Sequence, residues 1–407
     1  MSGGRPGTWV IRARRRVTQP AKLIVTPLSG IVRGAQFTVA VAYSGTPAVV
    51  TDADLSIEGW VPACSRPGEC DGSFTVNQPI GAQSWYPSNN YPTDKATIDT
   101  EITVPTGTET IGTGELTGPP VDNGDGTTTW SWSEDDPTST YLASATVGEF
   151  DYSDDTTLSE ASTGAVIPMY LAIDSAIVQP TKDLFVTRST EIPSTTNFFS
   201  DRFGPYPFDS TGAIVDVANG VFYALENQTK PHYAENTRLT TSPQSLSTQA
   251  HEIAHQWMGN SVGPATWDEI WFNEGWATFA QTLYSSNADE AAMQQFFDDV
   301  YATDESEWDP APANLPGPED LFAGFPVYDR PGAMLEGFRE IVGDTAFYGF
   351  ARTLTSEYAY GNISIDEFIA EAKAASGFGG AQLDLLDQYF QQWLLGTTKP
   401  TITPDSF

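Results

Sequence analysis

Basic residues are scarce in this chain. Its 407 residues include 19 lysines and arginines against 53 aspartates and glutamates, which gives a formal net charge of −34. A protein with this charge repels phosphate groups, so we expect no binding of nucleic acid. Long apolar runs are also lacking, because no segment approaches the ~18 consecutive apolar residues of a membrane-spanning helix. We therefore expect no insertion into a membrane.

Cysteine is rarer still, with only Cys64 and Cys70. Pro67 and Gly68 between them are typical of a turn that could bring the two sulfur atoms together. We predict a small disulfide loop, with two free thiols as the alternative. A disulfide indicates an oxidising compartment, so we expect an extracellular or secreted protein, with a cytoplasmic one as the alternative. The arginine-rich residues 1–16 precede no apolar core, so we do not expect them to be a signal peptide.

Histidine is the third scarce residue, and its placement is the most informative feature of the sequence. Two of the three histidines, His251 and His255, occupy one pentapeptide, with Glu252 beside the first. Positions i and i+4 of an α-helix lie on the same face, so both imidazoles can bind one small cation. Glu252 can reach a water molecule on that cation. This is the arrangement of helical zinc proteases, in which the glutamate is the general base.

Glu274 is the candidate for a third metal ligand. A tetrahedral catalytic zinc binds three protein ligands and leaves its fourth position to water. Apolar residues recur at helical spacing from Asn273 onwards, which places Glu274 in the first turn of a second helix. The first helix is predicted over residues 244–258, where Gly259 and Asn260 would end it. The alternative interpretation is a solvated helix with two surface histidines.

The hydrophobic pattern divides the chain into a β part and a mainly helical part. Short alternating runs separated by turns predict strands up to about residue 172, including residues 36–43, whereas the polar residues 151–162 are predicted to form a loop. Helical periodicity then dominates. We expect an α+β multidomain protein with an antiparallel β domain over residues 1–172 and a catalytic domain of mixed sheet and helices over residues 173–407.

The sequence around the two histidines resembles the aminopeptidase-N and leukotriene hydrolase family of gluzincin zinc metallopeptidases. The resemblance is carried by residues 250–260, AHEIAHQWMGN, and residues 271–277, WFNEGWA. Weaker matches follow in the family's order at Trp85–Pro87, Asp94–Ala96, Tyr141–Phe150 and Phe203–Phe208. The resemblance covers roughly residues 35–400. It implies a saddle-like β domain, incomplete at its start within residues 1–34, followed by a thermolysin-like catalytic domain.

The resemblance also implies a role for each residue of a metal centre. His251, His255 and Glu274 would hold one Zn²⁺ per chain. Glu252 would be the general base, and Tyr328 would donate a hydrogen bond to the oxyanion that develops during peptide hydrolysis. The third histidine, His232, falls outside this set and is expected to pack against neighbouring side chains or to lie at the surface rather than bind metal.

A second family signature, Gly-x-Met-Glu-Asn, marks exopeptidases and corresponds to residues 223–227, YALEN. Glu226 matches the glutamate that binds the free α-amine of the substrate, which a carboxylate does by a charge-assisted hydrogen bond. Tyr223 stands where the family has glycine and adds bulk beside the substrate. The first subsites would be completed by contacts from Ala224, Asn227 and Gln228.

We therefore predict a zinc-dependent aminopeptidase that removes N-terminal residues from peptides by metal-activated water. Its partners would be peptide substrates with a free N-terminus, and the sequence does not indicate an oligomeric state. A zinc endopeptidase or other hydrolase on the same scaffold is one alternative, because of Tyr223. A non-catalytic binding protein with a vestigial site is another, although the presence of every ligand and of the base counts against it.

Overall fold

A computed structural model describes residues 23, 30–66, 68–236 and 243–407. The chain divides into two compact units, Met1–Pro47 and Ala48–Phe407. In the first unit, residues 36–43 contain one bridge residue but no strand, so the strand predicted there is wrong. The side chains of these residues are exposed.

Two antiparallel sheets open the larger unit. Their strands are β1 (Val49–Thr51), β2 (Ile57–Arg66), β3 (Glu69–Val76), β4 (Ala96–Pro105), β5 (Glu109–Gly112), β6 (Glu115–Leu116), β7 (Val121–Asp122), β8 (Thr127–Thr138) and β9 (Ala145–Gly148). One sheet has the order β1-β2-β3-β9-β5, and the other has the order β4-β8-β6 with β7 also paired to β8. Cys64 and Cys70 form a disulfide across the β2–β3 turn, which confirms the predicted loop.

A mixed sheet follows, formed by β10 (Phe150–Ser159), β11 (Val166–Asp174), β12 (Thr211–Asp216), β13 (Ala224–Leu225) and β14 (His232–Ala234) in the order β10-β11-β12-β14-β13. Strands β11, β12 and β14 are parallel. The loop predicted over residues 151–162 is wrong, because β10 pairs with β11 along that segment. Pairing in the sheet overrides its polar composition. The domain boundary proposed between residues 172 and 173 stays a prediction, and it falls inside β11.

Helices make up most of the remaining chain. They are α1 (Thr181–Ser189), α2 (Ile192–Phe203), α3 (Pro243–Ala254), α4 (Trp271–Ser285), α5 (Glu290–Tyr301), α6 (Arg330–Val342), α7 (Asp344–Glu357), α8 (Ile365–Ser376) and α9 (Ala381–Phe390). Two short parallel strands, β15 (Gly263–Pro264) and β16 (Asn362–Ile363), link the loops between them. The predicted α+β fold class is confirmed. Among the described residues, no helix is long and apolar enough to cross a membrane.

The main core includes the contact between α3 and α4, which pack against each other. Trp257, just after α3, and Trp276 and Phe279 of α4 are at most 1% exposed. Full burial of a side chain of this size stabilises the fold by about 1.5–3 kcal/mol. Fully buried aromatic side chains therefore fix the two helices that carry the predicted metal ligands.

His232 packs in the core, which is one of the two positions that the sequence left open. It lies fully buried on β14 and stacks on Phe74, with ring centroids 4.6 Å apart. Neither ring nitrogen has a hydrogen-bond partner among the described residues. Burial lowers the pKa of His232 to about 3, so the folded protein holds this imidazole neutral.

Replacing His232 with phenylalanine is expected to weaken the pH dependence of stability. Between about pH 3 and the ordinary histidine pKa of about 6.5, the unfolded chain binds a proton that the folded chain does not. The wild type therefore loses stability as the pH falls through this window. Calorimetry should show a drop in Tm between pH 7 and pH 4 that is smaller in the variant by roughly 3–6 °C. Equal drops would mean that His232 is not held neutral.

Candidate active site

Three side chains from α3, the turn after it and α4 converge on one point. His251 lies in the last turn of α3, His255 follows its end, and Glu274 lies in the first turn of α4. Nε2 of His251 lies 3.2 Å and Nε2 of His255 lies 3.4 Å from Oε2 of Glu274. The helix ends at Ala254 rather than at the predicted residue 258. The bond from the N–H of His255 to the carbonyl of His251 nevertheless keeps the helical spacing.

Each imidazole is oriented by a contact to its second nitrogen. Nδ1 of His251 lies 3.1 Å from Oε1 of Gln281, and Nδ1 of His255 lies 3.2 Å from the main-chain oxygen of Met258. Both partners are carbonyl oxygens, so each Nδ1 donates a hydrogen bond and each Nε2 faces the shared point, where it would offer its lone pair to a metal ion. Gln281 follows Glu274 by two helical turns and therefore lies on the same face of α4.

These three donors fit one small divalent cation. Two ligands that bind one zinc ion at 2.0–2.2 Å in tetrahedral geometry stand about 3.3–3.6 Å apart, close to the observed 3.2 and 3.4 Å. The surrounding charges also favour a cation. Burial alone would lower the pKa of His255, but the carboxylates of Glu226 and Glu274 outweigh it and raise that pKa to about 10. The pocket therefore stabilises positive charge at this point.

A cleft of about 250 Å³ opens over the three donors. Glu252 lines it, is 6% exposed and has no side-chain hydrogen bond to any described residue. Burial raises the pKa of Glu252, and the positive charge of His255 offsets only part of that rise. A buried carboxylate with no protein partner points to a ligand in the cleft. The cleft is further lined by Asp52, Asp54, Ser56, Gln78, Tyr223, Ala224, Glu226, Phe322 and Tyr328.

Tyr328 lies against the first histidine. Its ring stacks on His251 with centroids 6.1 Å apart and an interplanar angle of 23°. It belongs to a π-helical segment, Gly324–Asp329, of a kind that is frequent at functional sites. Pro331, in the first turn of α6, packs so closely on Gly275 of α4 that a Cβ on Gly275 would lie 2.7 Å from it. This close approach, which requires glycine, holds the segment that carries Tyr328 against the metal-ligand helices.

Glu226 lines the cleft beside the three candidate metal ligands. It lies one residue after β13 and is 2% exposed. Its Oε1 accepts hydrogen bonds from Nε2 of Gln78 at 3.1 Å and from the hydroxyl of Tyr141 at 3.0 Å. Its main-chain oxygen accepts from the side-chain amides of Asn260 at 2.7 Å and Gln256 at 3.3 Å. Both amides follow the metal histidines in sequence, so the loop after α3 fixes Glu226 beside them.

The remaining predicted substrate contacts divide into two groups. Ala224 lines the cleft, whereas Asn227 and Gln228 do not. Both amides are fully buried behind Glu226. Their side-chain nitrogens lie 3.4 Å from the main-chain oxygens of Thr75 and Asp136 respectively, within the antiparallel sheets. The chain turns away from the cleft after Glu226, so the structure does not bring these two residues to the site.

Lys95 links the β domain to the metal-binding loop, a contact that the sequence did not predict. Its Nζ donates to the main-chain oxygens of Asn260 at 2.7 Å, Ser261 at 3.0 Å and Gly361 at 2.7 Å. The only signal was its place in the Asp94–Ala96 match. Gln78, which contacts Glu226 from a position 148 residues earlier, had no signal in the sequence at all.

Comparison with known proteins agrees with this geometry. Residues 191–393 match the peptidase family M1 domain. Aminopeptidase M1 of Arabidopsis thaliana is 27% identical over 324 residues, which cover 75% of this chain and 35% of that protein. Leucine aminopeptidase 2 of Aspergillus clavatus is 23% identical over 337 residues, which cover 76% of this chain and 51% of that protein. The chain thus spans about a third to a half of the length of these curated relatives.

A solved structure supports the fold. The M1 zinc metallopeptidase from Deinococcus radiodurans superposes with a TM-score of 0.72 at 22% identity, covering 88% of this chain and 76% of that chain. The shared fold, the domain match and the convergence of His251, His255 and Glu274 lead to one assignment. The chain belongs to peptidase family M1, as its resemblance to the aminopeptidase-N family implied.

Proposed function

We propose that this protein is a zinc-dependent aminopeptidase. The observation that carries the proposal is the position of Glu226, whose carboxylate lies within 4.8 Å of ligand atoms of Glu252 and His255. An α-ammonium group bound to Glu226 places the first peptide bond of the substrate beside the metal ligands. Hydrolysis at that bond releases one residue at a time. The names of the relatives in plants and fungi support the same activity.

The chain's own residues divide the reaction between them. When held by His251, His255 and Glu274, zinc supplies Lewis-acid polarisation of the scissile carbonyl and of a water molecule. Glu252 accepts a proton from the attacking water and returns it to the leaving amine. The hydroxyl of Tyr328 donates a hydrogen bond to the oxyanion that develops on the carbonyl.

The same proposal includes an extracellular or otherwise oxidising location. The Cys64–Cys70 disulfide supports it, because such bonds persist where the glutathione and thioredoxin systems do not reduce them.

N-terminal acetylation of a peptide substrate is expected to abolish its hydrolysis, because the acetylated amine carries no charge for Glu226 to bind. Mass spectrometry of matched free and acetylated peptides, with and without a chelator, measures this directly. Glu226→Gln should lower kcat/KM for aminoacyl anilides about 10- to 150-fold, the loss expected for a hydrogen bond to a charged group. Glu305→Gln, on an exposed turn, serves as the control.

Two outcomes would contradict the exopeptidase assignment. Internal cleavage of acetylated peptides at rates similar to those of free peptides would favour the endopeptidase alternative. Unchanged kcat/KM in Glu226→Gln would remove this residue from amine binding. Absence of chelator-sensitive hydrolysis on any peptide would favour a vestigial site.

A further inference from the structure

The β1–β2 hairpin brings a second pair of carboxylates to the cleft. Asp52 and Asp54 lie in the turn between the two strands, and both line the cleft together with Ser56. The main-chain N–H of Ser56 donates to Oδ1 of Asp52 at 2.9 Å and to Oδ1 of Asp54 at 2.8 Å. One backbone donor therefore holds both side chains in place, whereas the side chain of an ordinary solvated acid has no such contact.

The cleft holds more negative charge than the proposed reaction uses. It is lined by five carboxylates and two histidines, and no described lysine or arginine lines it. In the proposed function, zinc balances the charge of Glu274 and the substrate amine balances that of Glu226. The charge of Glu252 is balanced by the proton that it takes from water. Asp52 and Asp54 remain without a positive counterpart. The unbonded, buried carboxylate of Glu252 shows independently that this cavity accommodates a ligand.

Tyr223 connects the acidic pair to the amine-binding residue. Its ring lines the cleft, and its hydroxyl donates to the main-chain oxygen of Ile57, the residue that opens β2, at 2.7 Å. Burial raises the pKa of Tyr223, and the charges of Asp52, Asp54 and Glu226 add to the rise. Tyr223 lines the same cleft as Asp52, Asp54 and Glu226, and the bond to Ile57 fixes its bulk against the hairpin.

We infer that Asp52, Asp54 and the ring of Tyr223 form the subsite for the side chain of the first substrate residue, and that this subsite selects arginine and lysine. The inference rests on the proposed function, because Glu226 must fix the α-amine before the side chain can extend towards the hairpin. Arginine and lysine combine an apolar stem, which packs on an aromatic ring, with a cationic end that pairs with carboxylates. Tyr223 thus becomes a specificity residue rather than an obstacle to exopeptidase action.

The protonation of the pair is consistent with such a ligand. Burial, together with the hydrogen bond and the charge of Asp54, raises the pKa of Asp52 to about 7. Two carboxylates so close together retain a proton near neutral pH, since no lysine or arginine among the described residues lines the cleft to balance their charge. A guanidinium or ammonium group supplies the missing positive charge and allows both carboxylates to ionise.

Kinetics with matched substrates test this subsite. We expect the wild type to prefer arginyl over norleucyl anilide, which has an unbranched apolar side chain without a cationic end. In the D52N/D54N variant, the ratio of the two kcat/KM values should fall about 10- to 100-fold, as expected for lost charge-assisted hydrogen bonds. D122N/D125N is the matched control, because these two aspartates occupy the exposed β7–β8 hairpin, accept main-chain N–H groups and do not line the cleft. The control should keep the wild-type ratio.

Ligand binding provides a readout that does not depend on turnover. Calorimetry on Glu252→Gln should show tighter binding of L-arginine amide than of L-norleucine amide, and adding D52N/D54N should remove the difference. An unchanged ratio in both experiments would overturn the subsite while leaving the aminopeptidase proposal intact. Hydrolysis of neither anilide by the wild type would instead count against the aminopeptidase, and the two binding affinities would still decide the subsite.

Discussion

Replacing Glu252 with glutamine is expected to lower kcat for aminoacyl anilides by about 10²- to 10⁴-fold, the usual contribution of a general base. Glu252 lines the cleft but lies outside the His251, His255 and Glu274 group. Glutamine keeps the size of the side chain but does not accept the proton of the attacking water. Bound zinc should therefore be retained, and metal analysis on the same preparation used for kinetics tests both halves of this expectation.

Two results would count against the role of Glu252. Near wild-type turnover in the glutamine variant would assign the base elsewhere. Loss of zinc would show that the ion is held by the alternative group of Glu226, Glu252 and His255, whose ligand atoms also lie within 4.8 Å of one another. The exposed Glu305→Gln should match the wild type in both measurements.

Replacing Glu274 with glutamine is expected to weaken zinc binding by at least about 100-fold and to abolish hydrolysis at ordinary zinc concentrations. The reason is geometric, since Oε2 of Glu274 is the atom that both Nε2 atoms approach, at 3.2 and 3.4 Å. An amide oxygen presents less negative charge to the same ion. Competition with a chromogenic chelator measures the affinity.

Gln281→Ala is the matched comparison for Glu274. Gln281 contacts Nδ1 of His251 without reaching the shared point, so its loss should weaken zinc affinity by a smaller factor, about 10- to 100-fold. If Glu274→Gln bound zinc as tightly as the wild type, Glu274 would not be a ligand. An equal loss in the two variants would mean that Glu274 only orients the histidines.

The metal centre could be predicted because it depends on short-range geometry. The spacing of His251 and His255 is a property of any α-helix, and the apolar pattern of α4 was enough to place Glu274 in its first turn. The disulfide followed from a turn between two nearby cysteines in the same way. Each of these predictions required only the conformation of a short segment.

The rest of the cleft depends on contacts between distant parts of the chain. Gln78 and Tyr141 reach Glu226 from the antiparallel sheets, and no local pattern indicates such an approach. The burial of Asn227 and Gln228 was missed because a signature gives the order of residues but not the direction in which the chain turns. The proposed role of the β1–β2 hairpin was missed for the same reason, since Asp52 and Asp54 form a subsite only together with Tyr223.

Anomalous scattering at the zinc edge, from crystals of the wild-type chain grown with zinc, tests the central assignment most directly. The account predicts one strong peak, about 2.0–2.2 Å from Nε2 of His251, Nε2 of His255 and a carboxylate oxygen of Glu274. A peak held instead by Glu226, Glu252 and His255, or no peak at a zinc concentration that supports hydrolysis, would contradict it.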